Sequence, residues 1–95
     1  MTFAELAKKR DEILAIAKRH GAHNLRVFGS VANDAGGDQS DIDFLVEFDP
    51  DRSLLDQVRL IHDLEELLGR DVDVAEPTGL HRMIRNEILQ QARTL

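Results

Sequence analysis

The chain has 95 residues, and so short a chain predicts a single domain over residues 1–95. Of these residues 18 are acidic and 12 are basic, which gives a formal net charge of −6. The acidic balance argues against general nucleic-acid binding, because neutralising phosphates requires a basic surface. With no cysteine, no apolar run of membrane-spanning length and no signal-peptide pattern, the sequence excludes thiol chemistry and predicts a cytoplasmic protein without a membrane partner.

The first part of the chain has the pattern of a helix followed by a short strand. Thr2 and Glu5 have the spacing of a capping box, and apolar residues then recur at helical intervals, which predicts a helix from about residue 3 to 20. Gly21 is expected just beyond the helix, where glycine favours the left-handed cap conformation. Residues 24–28 form the first predicted strand.

A second strand is predicted after a polar, glycine-rich turn over residues 31–40, with a single helical turn beginning at Ser30. Residues 41–48 follow the period of two that is typical of a strand with one buried side. One face of this strand carries Ile42, Phe44, Val46 and Phe48, and the other carries Asp41, Asp43, Leu45 and Glu47.

The next predicted helix covers residues 54–68 and ends at Gly69. Ser53 and Asp56 have the spacing of a second capping box at its start. The apolar side predicted for this helix consists of Leu54, Leu55, Val58, Ile61, Leu64, Leu67 and Leu68.

A third strand over residues 70–75 and a helix from about residue 80 to 93 complete the predicted elements. Val72 and Val74 are expected to face the core, with Asp73 on the opposite face. The order of elements predicts an α+β fold, a small mixed β-sheet with helices packed on one face and the other face open near the acidic residues.

Gly29 and Ser30 directly follow the first strand and can open a helical turn. In that arrangement free backbone N–H groups face an anion, glycine permits close approach, and the serine hydroxyl can add a hydrogen bond. The alternative interpretation is an ordinary tight turn between two elements.

Asp41 and Asp43 stand on one face of a strand with Cα atoms about 6 to 7 Å apart, so their carboxylates repel each other unless a cation compensates. The alternative is a solvated strand end whose carboxylates face water. If the third strand lies alongside, Asp73 joins them, and three converging carboxylates can hold two Mg²⁺ ions about 3.5 to 4 Å apart, as in phosphoryl chemistry. Asp71 lies on the same side, nearer the start of its strand.

The other polar residues give no comparable pattern. The histidines lack metal-ligand spacing and are interpreted as surface or cap residues; they are His20, His23, His62 and His81. Arg70, Arg82 and Arg85 could reach a triphosphate and are left without an assigned role.

The stretch VFGSVANDAGGDQSDIDFLVEF resembles the signature of the nucleotidyltransferase superfamily that includes DNA polymerase beta: Gly-Ser, a spacer, then Asp-x-Asp on a strand. With LLGRDVDVAEP and the closing helix, the resemblance covers essentially the whole chain and is greatest to the minimal nucleotidyltransferase (MNT) family. It implies the polymerase-beta-like fold, Gly29 and Ser30 on the triphosphate of ATP, Asp41 and Asp43 as metal ligands, and Asp73 as the third carboxylate, which helps to activate the acceptor hydroxyl.

The resemblance also implies a reaction and a partner. Members of the family are antitoxins that are encoded beside HEPN-domain toxins. They transfer AMP from ATP to a tyrosine of the toxin and release pyrophosphate, and this modification blocks the ribonuclease activity of the toxin. This chain contains no tyrosine, so a tyrosine acceptor must lie on another protein. Because the acceptor-binding domain of larger relatives has no counterpart here, a partner or a second subunit of a homo-oligomer is expected to complete the site.

Two other functions remain as alternatives. Relatives often carry an arginine shortly after Gly-Ser, whereas Ser30 is followed here by Val31, Ala32, Asn33 and Asp34, so the guanidinium that would meet phosphate or partner is missing. A non-catalytic antitoxin that neutralises its partner by binding alone is therefore the alternative. A transferase acting on a small molecule is disfavoured by the missing acceptor-binding domain.

Overall fold

The computed structural model describes residues 1–33 and 41–95, so most of the turn predicted over residues 31–40 lies outside the described residues. No helix in the described ranges is long and apolar enough to cross a membrane. In chain order the elements are α1 (Phe3–Ala7), α2 (Arg10–Arg19), β1 (Ala22–Phe28), α3 (Gly29–Ala32), β2 (Ile42–Phe48), α4 (Leu54–Leu68), β3 (Val72–Ala75), a 3₁₀ turn (Pro77–Gly79), α5 (Arg82–Gln91) and β4 (Arg93–Thr94).

The strands form one mixed sheet in the order β3-β2-β1-β4. β1 pairs antiparallel with both β2 and β4, whereas β2 and β3 are parallel. A parallel pair needs a crossover, and α4 supplies it between β2 and β3. The predicted α+β class with a small mixed sheet is confirmed.

The hydrophobic core lies between one face of the sheet and helices α2 and α4. α2 contacts β1, α4 contacts β3, and the two helices contact each other. Alternate strand positions point into this layer, because side chains alternate between the faces of a strand. The buried residues of these elements are Ile13 and Ala17 of α2, Leu60, Leu64 and Leu68 of α4, and Ala22, Leu25, Val27, Ile42, Phe44, Val46, Val72 and Val74 of the strands.

The opposite face of the sheet is only partly open. Leu45 points away from the core cluster, yet its side chain is fully buried. The 3₁₀ turn contacts β2, and the neighbours of Leu45 on this face, Asp43 and Glu47, are half-buried. The expectation of an open face therefore applies to the end of β2 that carries the acidic residues rather than to the whole strand.

The predicted N-terminal helix is interrupted, so the prediction of one helix over residues 3–20 is wrong. The chain leaves the helix after Ala7 and begins α2 at Arg10, with Lys9 in a turn conformation at the start of α2. Arg10 donates from Nε to the carbonyl of Leu95 at 2.6 Å, a contact between residues 85 positions apart that no local pattern contains. The predicted cap at Thr2 is present, since its hydroxyl accepts from the backbone N–H of Glu5 at 3.2 Å.

The last helix is also shorter than predicted, because the chain ends in a strand. α5 stops at Gln91, and Arg93 and Thr94 form β4 against the edge of β1. A pair of residues is too short to show a period of two, so sequence periodicity could not reveal this strand.

Helix α4 has the predicted limits, but its predicted apolar side is too wide. Gly69 takes a left-handed conformation at φ +66°, as expected for the residue that ends a helix. Leu54, Leu55 and Val58 are 74%, 54% and 52% exposed, so their predicted burial is wrong. At 100° per residue, Leu55 lies about 180° and Val58 about 120° around the helix from the buried Leu64.

We expect the cap of α4 to make stability depend on pH. The Ser53 N–H donates to the Asp56 carboxylate at 2.9 Å, and this bond is the main cause that holds the pKa of Asp56 below its ordinary value. A lowered pKa stabilises the fold above the unfolded-state pKa, and the benefit is lost as pH falls through the folded-state pKa. Asp56→Asn should therefore lower the free energy of unfolding at pH 7, and the difference from wild type should disappear in acid.

Urea denaturation between pH 7 and pH 3 measures this difference. Asp51→Asn, which removes an exposed carboxylate from the preceding loop, is the matched control and should leave the free energy of unfolding nearly unchanged. An Asp56→Asn variant as stable as wild type at pH 7 would contradict the prediction.

Candidate active site

The centre of the candidate site is a pair of carboxylates on neighbouring strands. In the parallel register of β2 and β3, Asp43 is opposite Asp73. Paired residues project from the same face of a sheet, with strands about 4.8 Å apart. The sequence-based expectation that these two residues would be adjacent agrees with this register. Asp73 is exposed and Asp43 is half-buried.

Gly29 closes one side of this pair. Phe28, the last residue of β1, is opposite Asp43, and the chain then turns into α3 at Gly29 with φ +74°. A Cβ atom built on Gly29 would lie 2.4 Å from Oδ2 of Asp43. Glycine is thus required for two reasons, the left-handed backbone and the close approach of the carboxylate. Ser30 follows in the first turn of α3 and is half-buried.

Negative charge accumulates at this point of the sheet. The pKa of Asp43 is raised, first by burial and then by the negative charges of Asp73 and Asp41. Asp41 is exposed and directly precedes β2. Asp73 and Asp41 are therefore close enough to Asp43 for their charges to raise its pKa.

The three carboxylates lie at one end of the sheet, but their oxygen atoms do not converge on a single point. Within the described residues, the group whose ligand atoms all lie within 4.8 Å of one another is His62, Asp63 and Glu66, and the three aspartates do not form such a group. Asp41 and Asp73 are exposed, so their side chains can rotate towards Asp43 without disturbing the core. Carboxylate oxygens are the ligands that Mg²⁺ prefers, so this set of donors fits a divalent cation.

The histidines have roles outside this site. Nδ1 of His81 accepts from the N–H of Met83 at 3.1 Å at the start of α5, which agrees with the predicted cap role. Nε2 of His20 lies 2.6 Å from Oδ2 of Asp63 and joins the end of α2 to α4, and the His20 side chain is 12% exposed. His62, with Asp63 and Glu66, lies on α4, which packs against the core face of the sheet, whereas Asp43 projects from the opposite face.

Of the arginines left without an assigned role, Arg85 has a described hydrogen bond. Arg85 donates from Nη2 to the carbonyl of Leu80, five residues earlier in the chain, at 3.3 Å. Arg26, for which no role was predicted from the sequence, lies on the same sheet face as Asp43. Its alternation with Leu25 and Val27 is the local signal that could have placed it on this face, whereas its register relative to Asp43 depends on an irregularity in β1.

Comparison with known proteins identifies the family. Residues 10–95 match the family model described as a nucleotidyltransferase domain. The chain belongs to the nucleotidyltransferase family. The prediction of a nucleotidyltransferase is thereby confirmed at the level of the family, and the Gly-Ser and Asp-x-Asp elements quoted above lie within the matched residues.

Relatives of this nucleotidyltransferase extend over most of its length. A Methanocaldococcus jannaschii protein provisionally named protein adenylyltransferase is 41% identical over 92 residues, which cover 97% of this chain and 96% of the relative. Protein adenylyltransferase MntA of Thermococcus cleftensis is 34% identical over 76 residues, which cover 80% of this chain and 77% of the relative.

Solved structures share the fold of this nucleotidyltransferase. A structure described as a provisional minimal nucleotidyltransferase has a TM-score of 0.88 at 42% identity and covers 100% of this chain and 97% of its own. A toxin-antitoxin structure with AMP-PNP has a TM-score of 0.75 at 19% identity and covers 88% of this chain and 69% of its own, which shows a shared fold.

We expect alanine at Gly29 to be more destabilising than alanine at Gly69 or Gly79. Gly69 shares the positive φ but has nothing within 4 Å of a built Cβ, and Gly79 has neither constraint. Gly69→Ala should cost about 1 kcal/mol for the left-handed backbone, and Gly79→Ala should be close to neutral. Gly29→Ala should cost clearly more, because the new methyl group must displace the Asp43 carboxylate.

Chemical denaturation of the three variants measures these differences. A Gly29→Ala variant no less stable than Gly69→Ala would show that the carboxylate moves away freely. Asp43→Ala in the Gly29→Ala background should recover part of the loss, since it removes the group that the methyl contacts.

We expect Asp43→Asn to stabilise the protein when divalent cations are absent. A carboxyl with a raised pKa destabilises the folded state increasingly as pH rises from the unfolded-state pKa through the folded-state pKa. Thermal unfolding in EDTA should therefore give a higher Tm for Asp43→Asn than for wild type at pH 7. The difference should vanish below about pH 3.9, the ordinary pKa of aspartate. A lower Tm at pH 7 would contradict this account of the charges.

Proposed function

We propose that this nucleotidyltransferase transfers AMP from ATP to a hydroxyl group of a partner protein. The observation that carries the proposal is the alignment of Asp43 with Asp73 across the parallel pair, with the backbone of Gly29 against the Asp43 carboxylate. The proposal assigns the acceptor as a tyrosine of a HEPN-type toxin, which makes this chain the antitoxin of the pair.

Asp41, Asp43 and Asp73 are proposed as ligands of Mg²⁺, with two ions in the complete site. The raised pKa of Asp43 supports this, because its cause is burial together with uncompensated negative charge that a divalent cation would neutralise. The exposed positions of Asp41 and Asp73 leave their carboxylates free to turn towards an ion. When bound, Mg²⁺ would supply charge neutralisation for the phosphates.

Gly29 and Ser30 are proposed to bind the triphosphate of ATP. Because Gly29 has no side chain, the Asp43 carboxylate lies close to its backbone, which brings the proposed triphosphate-binding segment next to the proposed metal ligands. Ser30 contributes its hydroxyl from the first turn of α3. Nucleotide and metal ligands would then share one end of the sheet.

The reaction that fits these residues is in-line displacement at phosphorus. The acceptor oxygen forms a bond to the α-phosphorus while the bond from that phosphorus to the bridging oxygen breaks, and pyrophosphate leaves with the electron pair. Asp73, the more exposed member of the pair, accepts the proton of the hydroxyl as general base.

The acceptor is proposed to be another protein, because this chain contains no tyrosine. The names of the relatives support a protein acceptor, and a toxin-antitoxin structure with AMP-PNP shares the fold. We propose that the partner, or a second subunit, completes the site and that the reaction takes place in the cytoplasm.

Transfer of labelled AMP to the product of the neighbouring gene, proposed to be the HEPN-type toxin, tests the proposal. Purified protein and toxin are incubated with MgCl₂ and α-labelled ATP, and label on the toxin is measured over time. Asp43→Asn and Asp73→Asn should each reduce the rate by at least about a hundredfold. EDTA should abolish transfer, and Tyr→Phe at the labelled toxin residue should remove the acceptor.

Asp71→Asn is the matched control, because Asp71 is an exposed carboxylate that directly precedes β3. It should retain transfer close to wild type. If the toxin is neutralised without label and neutralisation survives Asp43→Asn and Asp73→Asn, the protein is a non-catalytic antitoxin that acts by binding alone, and the enzymatic proposal fails.

A further inference from the structure

Strand β1 contains an irregularity that changes which side chains face the candidate site. His23 is opposite Glu47 and Arg26 is opposite Leu45, so β1 uses one residue more than β2 over this interval. Asn24 takes φ +55°, a left-handed conformation uncommon for a residue other than glycine. An extra residue in one strand is a β-bulge, and bulges redirect the side chains that follow them.

The bulge directs Arg26 towards the face that carries the carboxylates. Beyond it, Leu25 and Val27 are buried in the core, while Arg26 and Phe28 occupy the alternate positions. Arg26, Val27 and Phe28 keep a regular register with β2, and Phe28 is opposite Asp43. Arg26 is therefore a diagonal neighbour of Asp43, about 7 to 8 Å away and within reach of a long side chain.

Arg26 is half-buried, and part of its guanidinium is shielded from solvent without a partner. Its Nε atom is shielded from solvent and has no hydrogen-bond partner within the described part of the chain. It also forms none of the ion pairs between described residues. A buried polar group left unsatisfied destabilises the folded state, so its retention calls for an explanation.

Arg85 has the only other shielded Nε atom without a partner in the described ranges. It differs from Arg26 because its Nη2 group donates to the carbonyl of Leu80. Among the described strand residues on the Asp43 face, Arg26 is the only arginine or lysine. The nearby Glu47 carboxylate accepts from the Asn24 side chain. Arg26 is thus the available cation on a face otherwise rich in acidic residues.

We propose that Arg26 binds the phosphate chain of the nucleotide and so positions it against Asp43 and Asp73. This inference rests on the proposed function and adds a residue to it. A guanidinium offers a planar array of donors suited to phosphate oxygens, and the Nη groups of Arg26, which are not among the shielded atoms without a partner, are the donors that a phosphate would meet. The carboxylates would then contact the nucleotide through divalent cations, and Arg26 would contact its phosphate oxygens directly.

Direct titration of the purified protein separates this role from the transfer reaction. Wild type, Arg26→Gln and Arg26→Lys are titrated calorimetrically with ATP and, separately, with inorganic pyrophosphate, both in MgCl₂ and without the toxin. Arg26→Gln should weaken the Kd for both ligands about tenfold to a hundredfold, as expected for loss of a charged hydrogen bond. Arg26→Lys should recover part of the affinity, because it keeps the charge without the planar donors.

Stability distinguishes a binding residue from a structural one. Since Nε has no partner, Arg26→Gln should leave the Tm of the free protein unchanged or raise it, whereas a structural arginine would lower it. Arg59→Gln, which removes an exposed guanidinium from α4, is the matched control and should bind both ligands as wild type does.

Three results would overturn the inference, and they differ in what else they overturn. If wild type binds both ligands and Arg26→Gln loses no affinity, the Arg26 assignment fails and the proposed function stands. If wild type binds neither ligand, the proposed function fails with it. A fall in the Tm of free Arg26→Gln together with normal affinity in Arg26→Lys would indicate a structural role.

Discussion

The parallel pairing of β2 with β3 is the constraint on which the rest of the molecule depends. It requires a crossover, which α4 supplies, and the buried face of α4 then covers the core side of both strands. The same pairing sets the register in which Asp43 is opposite Asp73. A shift of this register by one residue would turn Asp73 towards the core and Val72 or Val74 towards the site. One register therefore places the valines in the core and the carboxylate pair at the site.

The candidate site is a region where the fold tolerates unfavourable electrostatics. Burial and then the like charges of Asp73 and Asp41 raise the pKa of Asp43 on one side, and Arg26 keeps an Nε–H without a partner on the other. Each is unfavourable in the free protein, and each would be relieved by a ligand of opposite charge. Such unsatisfied groups are more often found at functional sites than in the remainder of a structure.

The parts of the structure that sequence could predict are those with local signals. The period of two in β2 identified the faces of Asp43 and Phe44, and the cap pattern with Gly69 gave the limits of α4. The break before Arg10, the short strand at Arg93–Thr94 and the bulge at Asn24 all depend on contacts between distant segments, which no window of sequence contains. The face of Arg26 follows from its alternation with Leu25 and Val27, whereas its register opposite Leu45 follows from that bulge and could not be predicted.

Because Gly29 and Asp43 are in close contact, which substitutions are tolerated at position 29 depends on the residue at position 43. While Asp43 keeps its carboxylate, any side chain at Gly29 meets that group 2.4 Å from its Cβ atom. Once the carboxylate is lost, this steric objection is removed and only the backbone preference for glycine remains. In relatives that have abandoned catalysis, substitutions at position 29 should therefore follow substitutions at position 43 rather than precede them.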